Sequence, residues 1–171
     1  FFNRLAQVKK DVPELTMDEI KEIFTKNTFK KVNIIGGEPM MHGNILDTMH
    51  LFDSLDMKYD LATNGTLINK MNIDTLSAMK GLVSVGMSLD GNQEMHNEIR
   101  GSPVAFQQTI NSFKMLHERG ILTNIVSVVM KENLPYMKDI VKIAKENNIK
   151  SVWFEIERYY IKDEIAQTQS L

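Results

Sequence analysis

The stretch Lys31-Val32-Asn33-Ile34-Ile35-Gly36-Gly37-Glu38-Pro39 joins a short apolar run to a glycine-rich turn, and it decides the fold. The run predicts a strand at residues 31–35, and the turn lies where a parallel sheet collects its functional groups. The glycines permit close approach to the backbone, while Pro39 keeps Glu38 out of the helical region. A carboxylate here would repel phosphate, so the stretch favours a cationic group such as an ammonium. On this segment alone, an ordinary turn with an exposed Glu is an equally good interpretation.

The pattern of strand followed by helix continues on both sides of this stretch. A helix is predicted to begin at Thr16, with a capping box to Glu19. The predicted strands span residues 31–35, 58–62, 82–89, 121–130 and 151–156, and the helices between them span residues 44–55, 71–80 and 104–119. This alternation predicts an α/β fold, either doubly wound about an open sheet or closed into a barrel. With no linker rich in Pro, Gly or Ser, residues 1–171 are expected to form a single domain.

Composition excludes several classes of function. The 171 residues are 43% hydrophobic and 25% charged with a net charge of -2, so no nucleic-acid partner is expected. No apolar run is long enough to span a bilayer, and a cytoplasmic, membrane-free protein is predicted. A start at Phe1 instead of Met suggests trimming, so the presence of an upstream targeting segment stays an open alternative. Without cysteine the chain can form neither a disulfide nor a thiolate metal site, and its histidines lack metal-ligand spacing.

The next two predicted strands also end in polar turns. One ends in Thr63-Asn64-Gly65-Thr66 and the other in Ser88-Leu89-Asp90-Gly91. Asn-Gly and Asp-Gly are common turn dipeptides, so each segment by itself favours a structural role. Ser88 and Asp90 should face the same side of their strand, where a hydroxyl and a carboxylate could bind a sugar diol.

The segment after Asp90 is interpreted as a loop that runs through Glu94, His96 and Glu98 to Arg100. Arg100 could pair with a ligand carboxylate, although a solvated surface ion pair is the more ordinary role for such a residue.

Further expectations concern the C-terminal third of the chain. Asn133 is predicted to cap a helix that turns Val141 inward, among other apolar residues. Trp153 and Phe154 are expected to pack in the last strand. Glu155 and Glu157 are placed near the barrel mouth.

The ordered set of these three strand ends resembles the radical S-adenosylmethionine (radical SAM) superfamily. The resemblance covers residues 15–155 and is strongest to the branch that often carries SPASM or twitch extensions. It implies a partial TIM-like (β/α)6 barrel in which the first strand and the cluster loop, with its three cysteines, are missing from this chain. Phe1-Phe2 resembles the residues that follow the third cysteine in that loop.

The resemblance also implies an activity: with a 4Fe-4S cluster, S-adenosylmethionine is reductively cleaved to a 5′-deoxyadenosyl radical that abstracts hydrogen from a substrate. The full-length parent would be an oxidoreductase or maturase with an electron donor and a small-molecule or peptide substrate, and the fragment alone would be inactive. By motif, Gly36, Gly37 and Glu38 would hold the methionyl ammonium, Ser88 and Asp90 the ribose or methionyl carboxylate, Thr63 and Asn64 would line the pocket, and Arg100 would pair with the carboxylate. Adenine is expected near Val128 and Phe154.

Two other functions remain open at the level of the sequence. The first is a non-catalytic barrel domain that binds the nucleotide without a cluster, because the chain has no cysteine. The second is a conventional barrel lyase or aldolase, which is disfavoured because no Schiff-base Lys or metal-ligand set stands at the strand ends.

Overall fold

The computed structural model describes residues 14–156. Phe1-Phe2 and Glu157, which entered the expectations above, lie outside these described residues. The strands are β1 (Lys31–Ile34), β2 (Lys58–Thr63), β3 (Leu82–Ser88), β4 (Leu122–Val129) and β5 (Ser151–Ile156). The α-helices are α1 (Met17–Lys26), α2 (Ile45–Ser54), α3 (Ile73–Ala78), α4 (Gln93–Arg100), α5 (Ala105–Glu118) and α6 (Met137–Glu146), and short 3-10 turns span Pro39–Met41 and Leu134–Tyr136.

The five strands form one parallel sheet in the order β1-β2-β3-β4-β5. Each connection adds the next strand on the same side, so the sheet has no point at which the winding reverses. A doubly wound sheet requires such a reversal, whereas a barrel does not. The α/β class and the partial-barrel architecture are therefore confirmed, and the doubly wound alternative is excluded for residues 14–156.

The helices pack on one face of the sheet, and within residues 14–156 no helix covers the other face. β2, β3 and β4 supply Tyr59, Leu61, Val85, Met87 and Ile125 to a single buried cluster. The helices contribute Met49, Phe52, Leu76, Phe113, Leu116 and Ile140 to the same cluster. Alternate residues of each strand therefore face this core, and the residues between them face the concave side of the sheet.

The expected capping box at the first helix is confirmed. The Thr16 hydroxyl accepts the Glu19 backbone N–H at 3.3 Å, and the Glu19 carboxylate accepts the Thr16 backbone N–H at 2.8 Å. The Thr16 backbone N–H and, to a smaller extent, the Thr16 hydroxyl, which donates to the same carboxylate at 2.8 Å, lower the pKa of Glu19.

A half-buried carboxylate joins α2 to the start of β3. Asp53 accepts hydrogen bonds from the Tyr59 hydroxyl at 2.9 Å and from the backbone N–H groups of Lys80 and Gly81, each at 2.8 Å. Burial first, and then the bond to Asp53 and its charge, raise the pKa of the Tyr59 hydroxyl. A Cβ at Gly81 would lie 2.2 Å from the Met57 carbonyl oxygen, so only glycine fits this junction. The helix predicted for residues 71–80 correspondingly ends at Ala78.

The prediction of a loop between Glu94 and Arg100 is wrong, because these residues form helix α4. The Asn92 side chain accepts the Met95 backbone N–H at 3.0 Å, and Gly101 closes the helix with a positive φ of 64°. Both are ordinary helix-end signals. The segment carries too few apolar residues for its helical period to stand out in the sequence.

Two expectations about the segment after β4 are also wrong. Asn133 makes no capping bond to the following helix; its fully buried side chain accepts the Met130 N–H and donates to the Val128 carbonyl, both at 2.8 Å. It therefore ties down the end of β4. Val141 is 39% exposed, because the inward stripe of α6 is centred on Ile140 and Ala144.

The last strand is less covered than expected. Trp153 is 63% exposed and Phe154 is 44% exposed, so the prediction that both pack in the core is wrong. Among the described residues β5 pairs only with β4 and therefore lies at an edge of the sheet, where fewer neighbours cover its side chains. Glu155 and Trp153 both line the concave side of the sheet.

Candidate functional site

Three polar turns meet at the carboxyl-terminal edge of the sheet. They follow β1, β2 and β3, which are adjacent and parallel. Ile34 pairs with Leu61, and Thr63 pairs with Met87, the residue before Ser88. The strand register therefore brings the three predicted motifs to the same edge, as expected for parallel strands.

The Glu38 carboxylate links the first two turns directly. Its Oε1 accepts the Thr63 hydroxyl at 2.6 Å and the Met40 backbone N–H at 3.0 Å. Its Oε2 accepts the Asn64 backbone N–H at 2.6 Å. A carboxylate has about four acceptor positions, so Oε2 keeps capacity for one further donor. The side chain is thus fixed in place and still able to bind a ligand.

Local backbone structure explains how Glu38 reaches this position. The residue is extended, with φ -146° and ψ 103°, and precedes the 3-10 turn that begins at Pro39. This agrees with the expectation that Pro39 excludes the helical region for the residue before it.

Gly36 and Gly37 are exposed beside this carboxylate. A Cβ built on either glycine would meet no atom within 4 Å among the neighbouring residues. Packing in this chain therefore does not require glycine at either position, but the absence of side chains leaves the peptide groups open to a ligand. The open peptide groups of the two glycines thus lie beside a carboxylate, the kind of acceptor that can pair with a cationic group.

Thr63 and Asn64 serve the site mainly through structure. Thr63 is buried, and its hydroxyl accepts the Gly65 N–H at 3.1 Å while it donates to Glu38. The Asn64 side-chain oxygen closes the turn by accepting the Thr66 backbone N–H at 2.8 Å and the Thr66 hydroxyl at 2.7 Å. The Asn64 side chain therefore bonds within its own turn, and Asn64 contacts the Glu38 carboxylate only through its backbone N–H.

Two residues of α5 that sequence reasoning missed hold the same turn. The Thr109 hydroxyl donates to the Asn64 carbonyl at 2.9 Å, and the Ser112 hydroxyl donates to the Gly65 carbonyl at 2.6 Å. Both side chains are buried. Their signal in the sequence is a pair of hydroxyl residues next to the apolar stripe that contains Ile110 and Phe113.

Ser88 and Asp90 have different surroundings. Ser88 is half-buried at the end of β3, beside Val126 of β4. Asp90 is only 2% exposed, and its Oδ2 accepts Arg100 Nε at 2.7 Å and Nη2 at 2.6 Å. The structure thus joins Asp90 to Arg100, two residues that the sequence assigned separately to the ligand.

His96 is the third member of this cluster, although the sequence placed it in a loop and predicted no role for it. It is 1% exposed, and its Nδ1 accepts the Asp90 backbone N–H at 3.2 Å. Burial raises the pKa of the Asp90 carboxyl, but the neighbouring His96 and Arg100 together outweigh burial and hold that pKa below its usual value. The buried carboxylate stays ionised and anchors α4 against the turn that follows β3.

This chain offers no thiolate ligand for an iron-sulfur cluster. The chain contains no cysteine. Within residues 14–156 no group of three or more His, Asp or Glu side chains is placed to hold a metal ion. In the same part of the chain no helix is long and apolar enough to cross a bilayer.

The sequence that carries these three strand-end motifs also matches a protein-family model. The model of the radical SAM superfamily matches residues 2–144. The chain belongs to the radical SAM superfamily. The resemblance drawn from the motifs is therefore confirmed for most of the chain.

Similar proteins include biosynthetic and maturation enzymes. This radical SAM chain is 33% identical to the AdoMet-dependent heme synthase of Oleidesulfovibrio alaskensis over 82% of its residues, and 30% identical to the antilisterial bacteriocin subtilosin biosynthesis protein AlbA of Bacillus subtilis over 69%. Relatives such as AlbA support the expected branch with SPASM or twitch extensions.

Solved structures agree on the fold. The structure of Streptococcus suis SuiB bound to its precursor peptide SuiA covers 95% of the chain with a TM-score of 0.75, at 20% identity. At this identity the likeness shows the fold alone. The chain spans 37% of the heme synthase, 27% of AlbA and 40% of SuiB, so each of these proteins is much longer.

Proposed function

We propose that residues 1–171 form a single barrel domain that binds S-adenosylmethionine within a radical SAM enzyme. The observation that carries this proposal is the Glu38 carboxylate, which is fixed by the second turn and lies beside two open glycine peptides. An anchored carboxylate with one free acceptor position suits the methionyl ammonium. In this family the bound cofactor supplies a radical that abstracts hydrogen from a substrate.

The residues of the site divide into two roles. Gly36, Gly37 and Glu38 contact the methionyl ammonium, and the Ser88 hydroxyl contacts the ribose or the methionyl carboxylate. The second role is positioning: Thr63 and the Asn64 backbone orient Glu38.

The buried pair of Asp90 and Arg100 also has a positioning role. It holds α4 against the turn in which Ser88 lies. Ligand contacts from Asp90 itself would have to displace the guanidinium, so we assign it to positioning.

The enzyme would act as an oxidoreductase or maturase. Relatives named for bacteriocin biosynthesis and sulfatase maturation support a peptide or protein substrate. The cluster would be held by cysteines outside these 171 residues, since the chain has none. A strongly reducing electron donor would be required, which suits a cytoplasmic location.

The ammonium contact can be tested without a cluster by comparing two ligands. S-adenosylhomocysteine carries the ammonium and carboxylate, whereas 5′-methylthioadenosine lacks both. We expect S-adenosylhomocysteine to shift the amide NMR signals of Gly36 and Gly37. Methylthioadenosine, which keeps the ribose but has no ammonium, should shift the amide signal of Ser88 instead. Glu38→Gln should weaken S-adenosylhomocysteine roughly tenfold or more, because a charged hydrogen bond is lost, and should leave methylthioadenosine unchanged.

Glu98→Gln is the matched control, because Glu98 is an exposed acid on α4 outside the three turns. It should bind both ligands as the unmodified chain does. Equal weakening of both ligands by Glu38→Gln would indicate a collapsed turn instead of a lost ammonium contact. Unchanged affinity for S-adenosylhomocysteine, or no response of the glycine amides at millimolar ligand, would refute the proposal.

A further inference from the structure

The concave face of the sheet, opposite the helices, carries small and polar side chains. In a closed TIM barrel this face is filled by branched aliphatic residues. Here the centre of the face is lined by Asn33, Asp60, Ala62, Ser84, Gly86 and Asn124, with apolar side chains such as Leu122 and Val126 beside them. They enclose part of a cavity of about 480 Å³. The interior of this barrel therefore offers a central group of polar side chains to an occupant, within a partly apolar wall.

A chain of side-chain contacts crosses this face from β1 to β4. Lys31 forms an ion pair with Asp60 Oδ2, and the Ser84 hydroxyl donates to Asp60 Oδ1 at 2.8 Å. The Asn124 amide then donates to the Ser84 hydroxyl oxygen at 3.2 Å. Each hydrogen bond in this part is directed toward the Asp60 carboxylate, which fixes the orientation of every member.

The chain continues to the last strand. The Ser151 hydroxyl donates to Asn124 Oδ1 at 2.7 Å, and Trp153 Nε1 donates to the Ser151 oxygen at 3.2 Å. The contacts thus reach all five strands. We call this connected set the floor ladder; its members are Lys31, Asp60, Ser84, Asn124, Ser151 and Trp153.

The floor ladder retains hydrogen-bonding capacity at its centre. Asn124 donates one of its two amide hydrogens and accepts one bond at its oxygen. Within residues 14–156, one donor and one acceptor position of the same side-chain amide therefore have no partner. A second primary carboxamide, such as that of a Gln or Asn side chain, offers the complementary acceptor and donor on one edge, so it can bind here through two hydrogen bonds.

Charge on this face is balanced. Lys31 is neutralised by Asp60, and the cavity also contains Lys150 and Glu155, one of each sign. No arginine lines the cavity among the described residues. A ligand with several carboxylates, such as a tetrapyrrole, would lack paired cations here, whereas an uncharged amide needs none.

The floor ladder lies below the turns that carry the proposed cofactor site. Asp60 precedes Thr63 by three residues, which is roughly 10 Å along the strand. An occupant that rests on the ladder would extend toward Glu38 and Ser88. Taking the proposed function as its basis, we propose that the floor ladder binds an uncharged amide of a peptide substrate and selects it over polycarboxylate ligands.

Trp153 makes this proposal measurable, because it is the single tryptophan of the chain and the last member of the ladder. The probes are two capped tripeptides, acetyl-Gly-Gln-Gly-dimethylamide and the isosteric acetyl-Gly-Glu-Gly-dimethylamide, titrated against tryptophan emission, so that the Gln side chain is the single primary amide in either probe. We expect the Gln peptide to change the emission at millimolar concentration and to bind severalfold more tightly than the Glu peptide. The Glu carboxylate lacks the donor that the Asn124 oxygen requires.

Variants at one position test the role of the ladder. Asn124→Leu should weaken the Gln peptide by roughly threefold to tenfold, which corresponds to the net loss of a hydrogen bond. Asn124→Asp keeps the side-chain shape but removes the donor, and it should weaken binding of the Gln peptide to a similar extent. It serves as the second variant in case Asn124→Leu disturbs folding. Asn111→Leu, on the exposed surface of α5, is the matched control and should leave binding unchanged.

The outcomes separate this proposal from the proposed function. Asn124→Leu should not alter the S-adenosylhomocysteine shifts at Gly36 and Gly37, so loss of peptide binding with intact cofactor binding supports the ladder. Equal or tighter binding of the Glu peptide would overturn the proposal. So would equal effects of the Asn124 and Asn111 variants, or an absent response of Trp153 to both peptides. Failure of the glycine amides to respond would count against the proposed function alone.

Discussion

Replacing Arg100 by methionine should leave the Asp90 carboxylate buried without a counter-charge. Asp90 is 2% exposed and Arg100 side-chain exposure is 18%, so the pair is largely removed from water. Breaking one partner of a buried ion pair destabilises a protein by about 3–5 kcal/mol. The partial exposure of the guanidinium places the expected loss near the lower end, about 3 kcal/mol. Because small domains are stable by about 5–15 kcal/mol, urea unfolding at neutral pH should resolve this loss readily.

The effect of the Arg100→Met substitution should depend on pH in a defined direction. In the unmodified chain the Asp90 pKa lies below its usual value, so its contribution to stability is present above the unfolded pKa of about 3.9. That contribution is lost as the pH falls through the folded pKa. In the variant, burial without the guanidinium should raise the Asp90 pKa. The difference in unfolding free energy between the two proteins should therefore shrink as the carboxyl becomes protonated.

Two companion variants complete the test. Asp90→Asn combined with Arg100→Met removes the buried charge and should recover a large part of the loss. Arg119→Met breaks the exposed pair with Asp74 and should change stability by less than about 1 kcal/mol. The reasoning is refuted if Arg100→Met and Arg119→Met have equal effects, or if the loss for Arg100→Met persists unchanged at acid pH.

Two further substitutions test the framework around the site. Gly81→Ala should lower the thermal unfolding midpoint by the equivalent of about 1–3 kcal/mol, because its Cβ would meet the Met57 carbonyl at 2.2 Å, whereas Gly43→Ala, where a Cβ meets nothing within 4 Å, should be neutral. A similar loss in both variants would contradict the steric argument. Asn133→Ala should destabilise the chain by about 1–3 kcal/mol in urea unfolding, since it strands the Met130 N–H and the Val128 carbonyl. Hydrogen exchange should localise the change to the end of β4, and unaltered protection there would argue against the assigned bonds.

The sequence predicted the strand-helix framework well because that framework depends on local periodicity. All five predicted strands are present, and their bounds shift by two residues or fewer. Helix α4 was missed because its stability comes from end signals at Asn92 and Gly101 and from the buried His96, not from an apolar stripe. The predicted packing of Trp153 was also wrong, because the exposure of a side chain in an edge strand depends on which other elements lie beside it.

The identity of the site residues was readable in the sequence, but their partners were not. Three motifs at successive strand ends indicate a shared edge, because parallel strands with right-handed connections place those ends together. The bonds from Thr63 and Asn64 to Glu38 join residues 25 and 26 positions apart in the chain. No local pattern encodes such a contact, and the same is true of the turn held by Thr109 and Ser112.

By itself, then, the sequence determined the α/β class, the order of the elements and the family, since these follow from hydrophobic period and from motifs in fixed order. Only the tertiary structure decided that Asp90 faces Arg100 and that polar residues of five strands join into one ladder. The physical reason is that hydrogen bonds and ion pairs depend on distances of a few ångströms between side chains. Those distances are set by sheet register and helix packing, which involve the whole chain at once.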